Sequence, residues 1–342
     1  MKKLRVAVVG CGAIGTRRHI PEYAQNPNVE LVGFCDIVPE RAAAMVDKYK
    51  TGKAFTLYQD MFDELKPDAV SVCVPNVLHA RVAIAAAAAG AHILVEKPMA
   101  CSEEEAQAMI AAAQKNGVQM MLEHNHRYMP PHIKAREILR SGTLGKPISF
   151  RTTFGHGGPE SWSIDGKDSW FFRKEEAFVG AMGDLGIHKA DLIRWLLDDE
   201  VVEVGSMIGT LDKKDTDVDD NAVCILRMKS GMLGTLTASW TCYKGEDSST
   251  IIWCENGVIK IGTNPNEQVI VEYRNGNVER YSVGAIATNE KQTKSGVIDA
   301  FVDALVTGKP VAVPGIEGLR SLRVILAALE SEKTKSFVKI AP

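Results

Sequence analysis

The sequence predicts an α/β chain of two domains: an amino-terminal parallel sheet covered by helices on both faces, then an α+β domain with an open, mainly antiparallel sheet. Three observations carry this. Gly10-Cys11-Gly12-Ala13-Ile14-Gly15 directly follows a short apolar run. Continuously apolar runs then alternate with helical stretches as far as Leu122, the pattern of strands buried on both faces. Beyond Gly142 the periodicity changes to two, with short polar turns between runs. A chain of 342 residues comfortably holds two cores, with boundaries expected at 1–122 and 123–342.

In the first domain, Leu4 to Val9 reads as a strand, followed by the glycine turn and a helical stretch up to Asn26-Pro27. Leu31 to Cys35 is the second strand and ends at Asp36. Tyr58 to Leu65 is helical, Ala69 to Val74 a strand, His79 to Ala89 a helix and His92 to Val95 a strand. Ser102 and Glu105 have capping-box spacing and open a helix to about Lys115; Gly117 stops it and Val118 to Leu122 is the next strand.

In the second domain, Pro130 to Ser141 is predicted helical. Ile148 to Phe154, Val201 to Leu211, Asn221 to Met228, Met232 to Cys242, Thr250 to Cys254, Gly257 to Gly262, Glu267 to Tyr273 and Asn277 to Val283 read as strands. Lys229-Ser230-Gly231 and Asn275-Gly276 supply hairpin turns. Within this region a segment of small residues from Gly180 becomes a helix near Asp184, with Leu185, Leu192 and Leu196 placed for the core. Its glycines are expected to admit a close ligand. The half-apolar outer face of the sheet is expected to pair with a second copy, as a homodimer or homotetramer.

Composition excludes several function classes. A formal net charge of −3 without a basic stripe argues against nucleic acid. The longest apolar run, Val82 to Ala89, is far short of the roughly 20 residues that span a bilayer. Met1-Lys2-Lys3 leads straight into the first strand without a cleavage site, so a cytoplasmic protein without membrane partners is expected. Seven cysteines without a C-x-x-C pair fit reduced thiols used as small hydrophobes.

The glycine spacing lies in its proper context of strand, turn and helix, which is a Rossmann dinucleotide-binding arrangement. Gly10 allows the tight turn, Gly12 the approach of a pyrophosphate and Gly15 close helix packing; Ala13 and Ile14 complete the turn over the helix N-terminus. Asp36 stands 21 residues after Gly15, placed to accept from ribose hydroxyls and to repel a 2′-phosphate. NAD(H) is therefore expected over NADP(H), with Arg41 near enough to keep dual use open. Ligands bind at the carboxyl ends of such strands, which selects Pro75-Asn76, Glu96-Lys97-Pro98 and Glu123 to Tyr128. Lys97, held extended before proline, is aimed at that crevice.

Asp184 and His188 are four apart and share a helix face. Between Phe154 and Lys174, the loop with His156, Trp162, Trp170 and Arg173 is suited to a polyhydroxylated ring, whose CH face stacks on an indole. His124-x-His126 with His132 invites a zinc reading, but Pro130-Pro131 breaks any strand that would make the ligands converge, so no metal is expected.

Taken together, these segments resemble the family named for glucose-fructose oxidoreductase, inositol dehydrogenase and the rhizopine protein MocA. The resemblance is carried by the glycine motif, Pro75-Asn76 with His79, Glu96-Lys97-Pro98, Arg127-Tyr128, Asp184-x-Gly186-x-His188 and Glu317-Gly318-Leu319-Arg320 with its following helix. It implies an active site between a dinucleotide domain and a mainly antiparallel domain. Pro75, Asn76, His79, Glu96 and Lys97 then belong to the cofactor side, and Arg127 and Tyr128 to the substrate side. It further implies Lys97 as the catalytic or hydroxyl-binding lysine, Asp184 and His188 as substrate contacts, His188 as acid-base group and a cis peptide before Pro98. Many relatives carry adjacent glycines where this chain has Gly180-Ala181-Met182-Gly183. The expected activity is hydride transfer between nicotinamide and a secondary alcohol or carbonyl of a sugar, sugar derivative or cyclitol. An NAD-dependent glycoside hydrolase and a dinucleotide-sensing binding protein are the alternatives.

Overall fold

The computed structural model describes residues 2–286 and 294–341. They fall into two compact units, the first drawn from 2–125, 162–170 and 294–320, the second from 126–161, 171–286 and 321–341.

In the first unit, β1 (Leu4–Val9), α1 (Ile20–Gln25), β2 (Val29–Cys35), α2 (Pro39–Tyr49), β3 (Lys53–Phe55), α3 (Tyr58–Leu65), β4 (Ala69–Val72), α4 (His79–Ala88), β5 (His92–Val95), α5 (Glu103–Lys115) and β6 (Met120–Leu122) alternate. The strands form one parallel sheet in the order β3-β2-β1-β4-β5-β6. Strand β4 and the last four residues of β1 are wholly buried, as their continuous apolar character requires. Strand order reverses beside β1, so the carboxyl ends of β1 and β4 flank the switch point where open α/β sheets bind ligands.

Local chemistry sets the element ends. Five residues, Gly15–His19, wind as a π turn before α1, where a single α-helix was expected. At α5, Ser102 Oγ accepts from the Glu105 N–H at 3.2 Å, as the capping box demands. The returning Glu105 carboxylate accepts from Cys101 N–H at 2.9 Å, one residue earlier than the box prescribes. Strand β6 starts at Met120 instead of Val118, because the Val118 N–H is still bonded to Ala113 O in the exit turn of α5.

In the second unit, α6 (Pro130–Arg140), β7 (Pro147–Gly155), α7 (Lys174–Ala177) and α8 (Ile187–Leu197) precede the antiparallel run β8 (Val201–Gly209), β9 (Asn221–Met228), β10 (Leu233–Ser239), β11 (Thr250–Cys254), β12 (Gly257–Ile261), β13 (Val269–Tyr273) and β14 (Val278–Tyr281). Late in the chain, α9 (Val297–Thr307) falls in the first unit, α10 (Gly315–Thr334) begins there and continues into the second, and β15 (Val338–Lys339) closes the second sheet. Sheet order is β14-β13-β12-β11-β7-β10-β9-β8-β15, antiparallel except for the parallel pair β7 and β10.

Strand β9 alternates strictly: Ala222, Cys224, Leu226 and Met228 face the core, Val223, Ile225 and Arg227 face out. Beyond the ends of β8 and β10, which stop short of their expected limits, Asp220 takes over the hydrogen bonding. Its Oδ1 accepts from Leu211 N–H beyond β8 and its carbonyl from Trp240 N–H beyond β10. Helix α8 is buried on nearly every side, with Leu192 and Leu196, and Leu185 just before it, in the core as expected. Each such side chain contributes about 1.5–3 kcal/mol by leaving water.

Candidate active site

At the switch point, Gly10 has φ +100°, and a Cβ there would lie 2.2 Å from Cys73 O. Any side chain at position 10 would therefore separate β1 from β4. A Cβ at Gly15 would meet Gly10 O at 2.2 Å, whereas one at Gly12 would meet nothing within 4 Å. Gly12 thus faces open space over the turn, where a phosphate would approach. Asp36 is buried, its Oδ2 accepting from Cys11 N–H at 2.8 Å and its Oδ1 from Val38 N–H at 2.9 Å. Each oxygen keeps a further lone pair for a ribose hydroxyl.

Below the ends of β4 and β5 lies a buried charged network. His19 Nε2 is 2.9 Å from Glu96 Oε1, and His19 Nδ1 is 3.0 Å from Ser71 Oγ, which in turn lies 2.8 Å from Tyr23 OH. Burial opposes charge on both partners, yet their mutual hydrogen bond wins: the pKa of His19 is raised and that of Glu96 lowered, so they form an ion pair. Burial, then the neighbouring Glu96, pushes the Glu123 carboxyl up to about 8.

Lys97 follows at the end of β5, its N–H donating to Glu96 Oε2 at 3.2 Å, and its peptide bond to Pro98 is cis. His79 brackets the same turn: its Nδ1 is 2.7 Å from Pro98 O and its Nε2 2.9 Å from Val74 O. Burial lowers its pKa, and a neutral ring donates to only one of the two carbonyls. Asn76 is buried in the short turn that Pro75 opens.

In the second unit, Asp184 lies in a π turn, Met182–Gly186, and His188 in the first turn of α8. Both are buried. Trp240, wholly buried, donates from Nε1 to Asp184 Oδ2 at 3.1 Å. His156 Nε2 stands 3.8 Å from the same oxygen. Because His156 Nδ1 accepts from Gly158 N–H at 2.9 Å, a neutral His156 carries its proton on Nε2, the nitrogen turned toward Asp184. The His188 ring stacks on His126, with centroids 4.5 Å apart and planes at 17°, and Phe154 lies 5.8 Å away. Behind them, burial pushes His132 down to about 3 and buried Lys189 down to about 7.

Residues 4–124 match the family described as "Oxidoreductase family, NAD-binding Rossmann fold", and residues 132–260 the "GFO/IDH/MocA C-terminal domain". The two matches meet the two units in the same order along the chain. The chain belongs to the GFO/IDH/MocA oxidoreductase family. Among its relatives, levoglucosan dehydrogenase of Pseudarthrobacter phenanthrenivorans is 25% identical over 99% of both chains. Myo-inositol 2-dehydrogenase of Thermotoga maritima is 26% identical over 98% of both. A solved levoglucosan dehydrogenase in complex with NADH superposes with a TM-score of 0.88 at 25% identity, covering 99% of this chain and 100% of the other.

This GFO/IDH/MocA chain is thus an NAD-binding oxidoreductase. Its residues fit the cofactor: Gly12 is open where the pyrophosphate would lie, and Asp36 is fixed at the end of β2 where the adenosine ribose would lie.

The other expected site residues are distributed as follows. Arg127 directs Nε and Nη2 onto the Asp191 carboxylate at 2.8 and 2.6 Å, both groups buried; Tyr128 follows it in the turn Asn125–Tyr128. Arg173 is exposed and pairs with Glu176. Trp162 and Trp170, half-buried, stand in the segment that packs with the first unit, whereas His156 stands in the second. The glycines around Asp184, expected to admit a ligand, instead make room for the protein. A Cβ at Gly180 would meet Asp219 O at 1.9 Å, one at Gly183 Val179 Cγ1 at 2.0 Å, and one at Gly186 Met182 Sδ at 2.6 Å.

Sequence reasoning missed three groups. Asp219, whose carboxylate accepts from Gly180 and Met182 N–H at 2.7 Å each, shapes the approach to Asp184. Trp240 and His19 were the others. An acid-rich stretch, Asp215 to Asp220, was the available signal for Asp219; Trp240 and His19 lie too far in sequence from their partners to leave one.

Proposed function

We propose that the chain is an NAD(H)-dependent dehydrogenase or reductase acting on a secondary alcohol or carbonyl of a sugar, sugar derivative or cyclitol. The observation that carries the reading is the Asp184 and His188 pair: two buried polar side chains four residues apart on one segment, Asp184 bonded by Trp240 and His188 stacked on His126. Full-length relatives named for levoglucosan and myo-inositol dehydrogenation support the substrate class.

NAD(H), when bound, supplies the hydride acceptor or donor. His188 would take the proton of the reacting hydroxyl and return it in reduction, its ring orientation held by the stack on His126. Asp184, oriented by Trp240, would accept from an adjacent hydroxyl, with His156 beside it. Lys97 would hold the reacting oxygen as negative charge develops. Arg127, committed to Asp191, would support this face from behind.

The outer face of the nine-stranded sheet presents Met207, Val223, Ile225, Leu233 and Trp253 to solvent, supporting a homodimer or homotetramer through that face. The expected cytoplasmic location belongs to the same proposal; among the described residues no helix is long and apolar enough to cross a membrane.

A spectrophotometric screen of NAD and NADP reduction against inositols, aldoses, ketoses and anhydrosugars tests the reading. NADH formed one-for-one with the oxidised (carbonyl) form of a sugar or cyclitol supports it. Cleavage of a nitrophenyl glycoside without net NADH overturns it for a hydrolase. NAD binding with no turnover of any member overturns it for a sensor.

A further inference from the structure

Just beyond Asp36 at the end of β2, the chain carries an ion pair. Arg41, in the first turn of α2, donates from Nη2 to Asp165 Oδ1 at 2.6 Å, both side chains about one-third exposed. Arg41 and Asp36 share one neighbourhood: burial pushes the Cys11 thiol's pKa up, Asp36 adds to that and Arg41 opposes it. Asp165 is 124 residues away in sequence, on the segment 162–170 that packs with the dinucleotide unit. A second arginine ties the same segment down, Arg17 Nη1 donating to Trp162 O at 2.8 Å. Ser163 Oγ bonds to Ser169 Oγ at 2.9 Å and closes the small loop that presents Asp165.

A 2′-phosphate on the adenosine ribose needs a cationic fork near the acidic residue that ends β2. From Ile37 to Arg41 the only cation is Arg41 itself. With Asp165 on its guanidinium, that cation is neutralised by a carboxylate from the 162–170 segment. We propose that Asp165 is a cofactor-specificity residue, occupying Arg41 so that the ribose pocket rejects the 2′-phosphate of NADP(H). The proposal rests on NAD binding by this unit and adds a determinant from outside the strand-turn-helix motif. An ion pair this exposed contributes little to stability, so neutralising Asp165 is expected to leave the fold intact.

The test measures dissociation constants of NAD, NADP and 2′,5′-ADP by calorimetry on the full chain, for the wild type, Asp165→Asn, Asp165→Ser, Arg41→Ala and the double variant Asp165→Asn with Arg41→Ala. Expected is a gain of about tenfold or more for NADP and 2′,5′-ADP in both Asp165 variants, from removal of one repulsive charge and release of one fork. NAD affinity should move much less. The gain should vanish when Arg41 is also removed. NADP affinity unchanged in both Asp165 variants while NAD still binds overturns the proposal, as does a gain that persists without Arg41. A wild-type chain that binds no NAD overturns the dinucleotide reading itself, and that outcome is distinguishable from the other two.

Discussion

Glu123 is a buried carboxyl beside a buried ion pair, and its replacement by glutamine has a pH signature that can be worked out in advance. Its pKa rises from 4.5 to about 8 in the folded chain, through burial first and the Glu96 charge second. The folded state therefore holds a proton that the unfolded chain releases above pH 4.5, so this group destabilises progressively as pH rises from about 4.5 to about 8. At about 1.4 kcal/mol for each tenfold in the proton equilibrium, the limit is about 5 kcal/mol, reduced by whatever relaxation charging the site provokes. Glu123→Gln keeps the shape and removes the titration. It should match the wild type near pH 4.5 and exceed it by several kcal/mol near pH 8.5, the difference growing between those values. Urea midpoints measured side by side across this range check the claim. A variant equally stable at both ends, or less stable at alkaline pH, refutes the assignment of a protonated Glu123.

Four further outcomes follow from the same geometry. Asp36→Ala should weaken NAD(H) binding in a fluorescence titration and loosen the glycine turn, because its carboxylate also accepts from Cys11 N–H. His188→Asn should depress turnover by about 100-fold or more while leaving NAD(H) affinity nearly unchanged, the usual contribution of general acid-base catalysis. Asp191→Ala should cost about 3–5 kcal/mol in a denaturation series, since it leaves the buried guanidinium of Arg127 without its 2.6 and 2.8 Å bonds. Ile225→Asp, on β9 within the sheet's exposed face, should shift the mass measured by light scattering toward the monomer without changing NAD(H) affinity.

Much of the fold was legible because periodicity and punctuation reported it directly. Strands β1, β4 and β5 read as apolar runs, and the strict alternation of β9 announced a sheet with one covered face. Strand β3, three residues without a buried side chain, gave no such pattern, and neither did the two-residue β15. The parallel pairing of β7 with β10 was also illegible, since hairpin turns specify only neighbours in sequence. Helix α9 opens at Gly296 without a side-chain cap, so no capping signal sets it apart from the strands preceding it.

For the site, Gly10, Gly15 and Asp36 were readable because one short motif contains the whole constraint. Arg127 was not: its type and place after β6 fit a ligand contact, while its bidentate partner Asp191 lies 64 residues away. The glycines at 180, 183 and 186 misled for a related reason. Close approach by a ligand and close approach by the protein's own Asp219, Val179 and Met182 demand the same missing side chain. Packing partners distant in sequence decide between them, and only the folded chain reveals those.

The measurement that bears most directly on the proposed chemistry is a crystal structure of the chain with NAD(H) and a substrate identified by the screen. Under the proposed chemistry, Lys97 and His188 should lie within about 2.6–3.2 Å of one hydroxyl or carbonyl oxygen, with Asp184 on its neighbour and the nicotinamide C4 beside the carbon. Lys97 meeting one ligand while Asp184 and His188 face away from it would contradict the account.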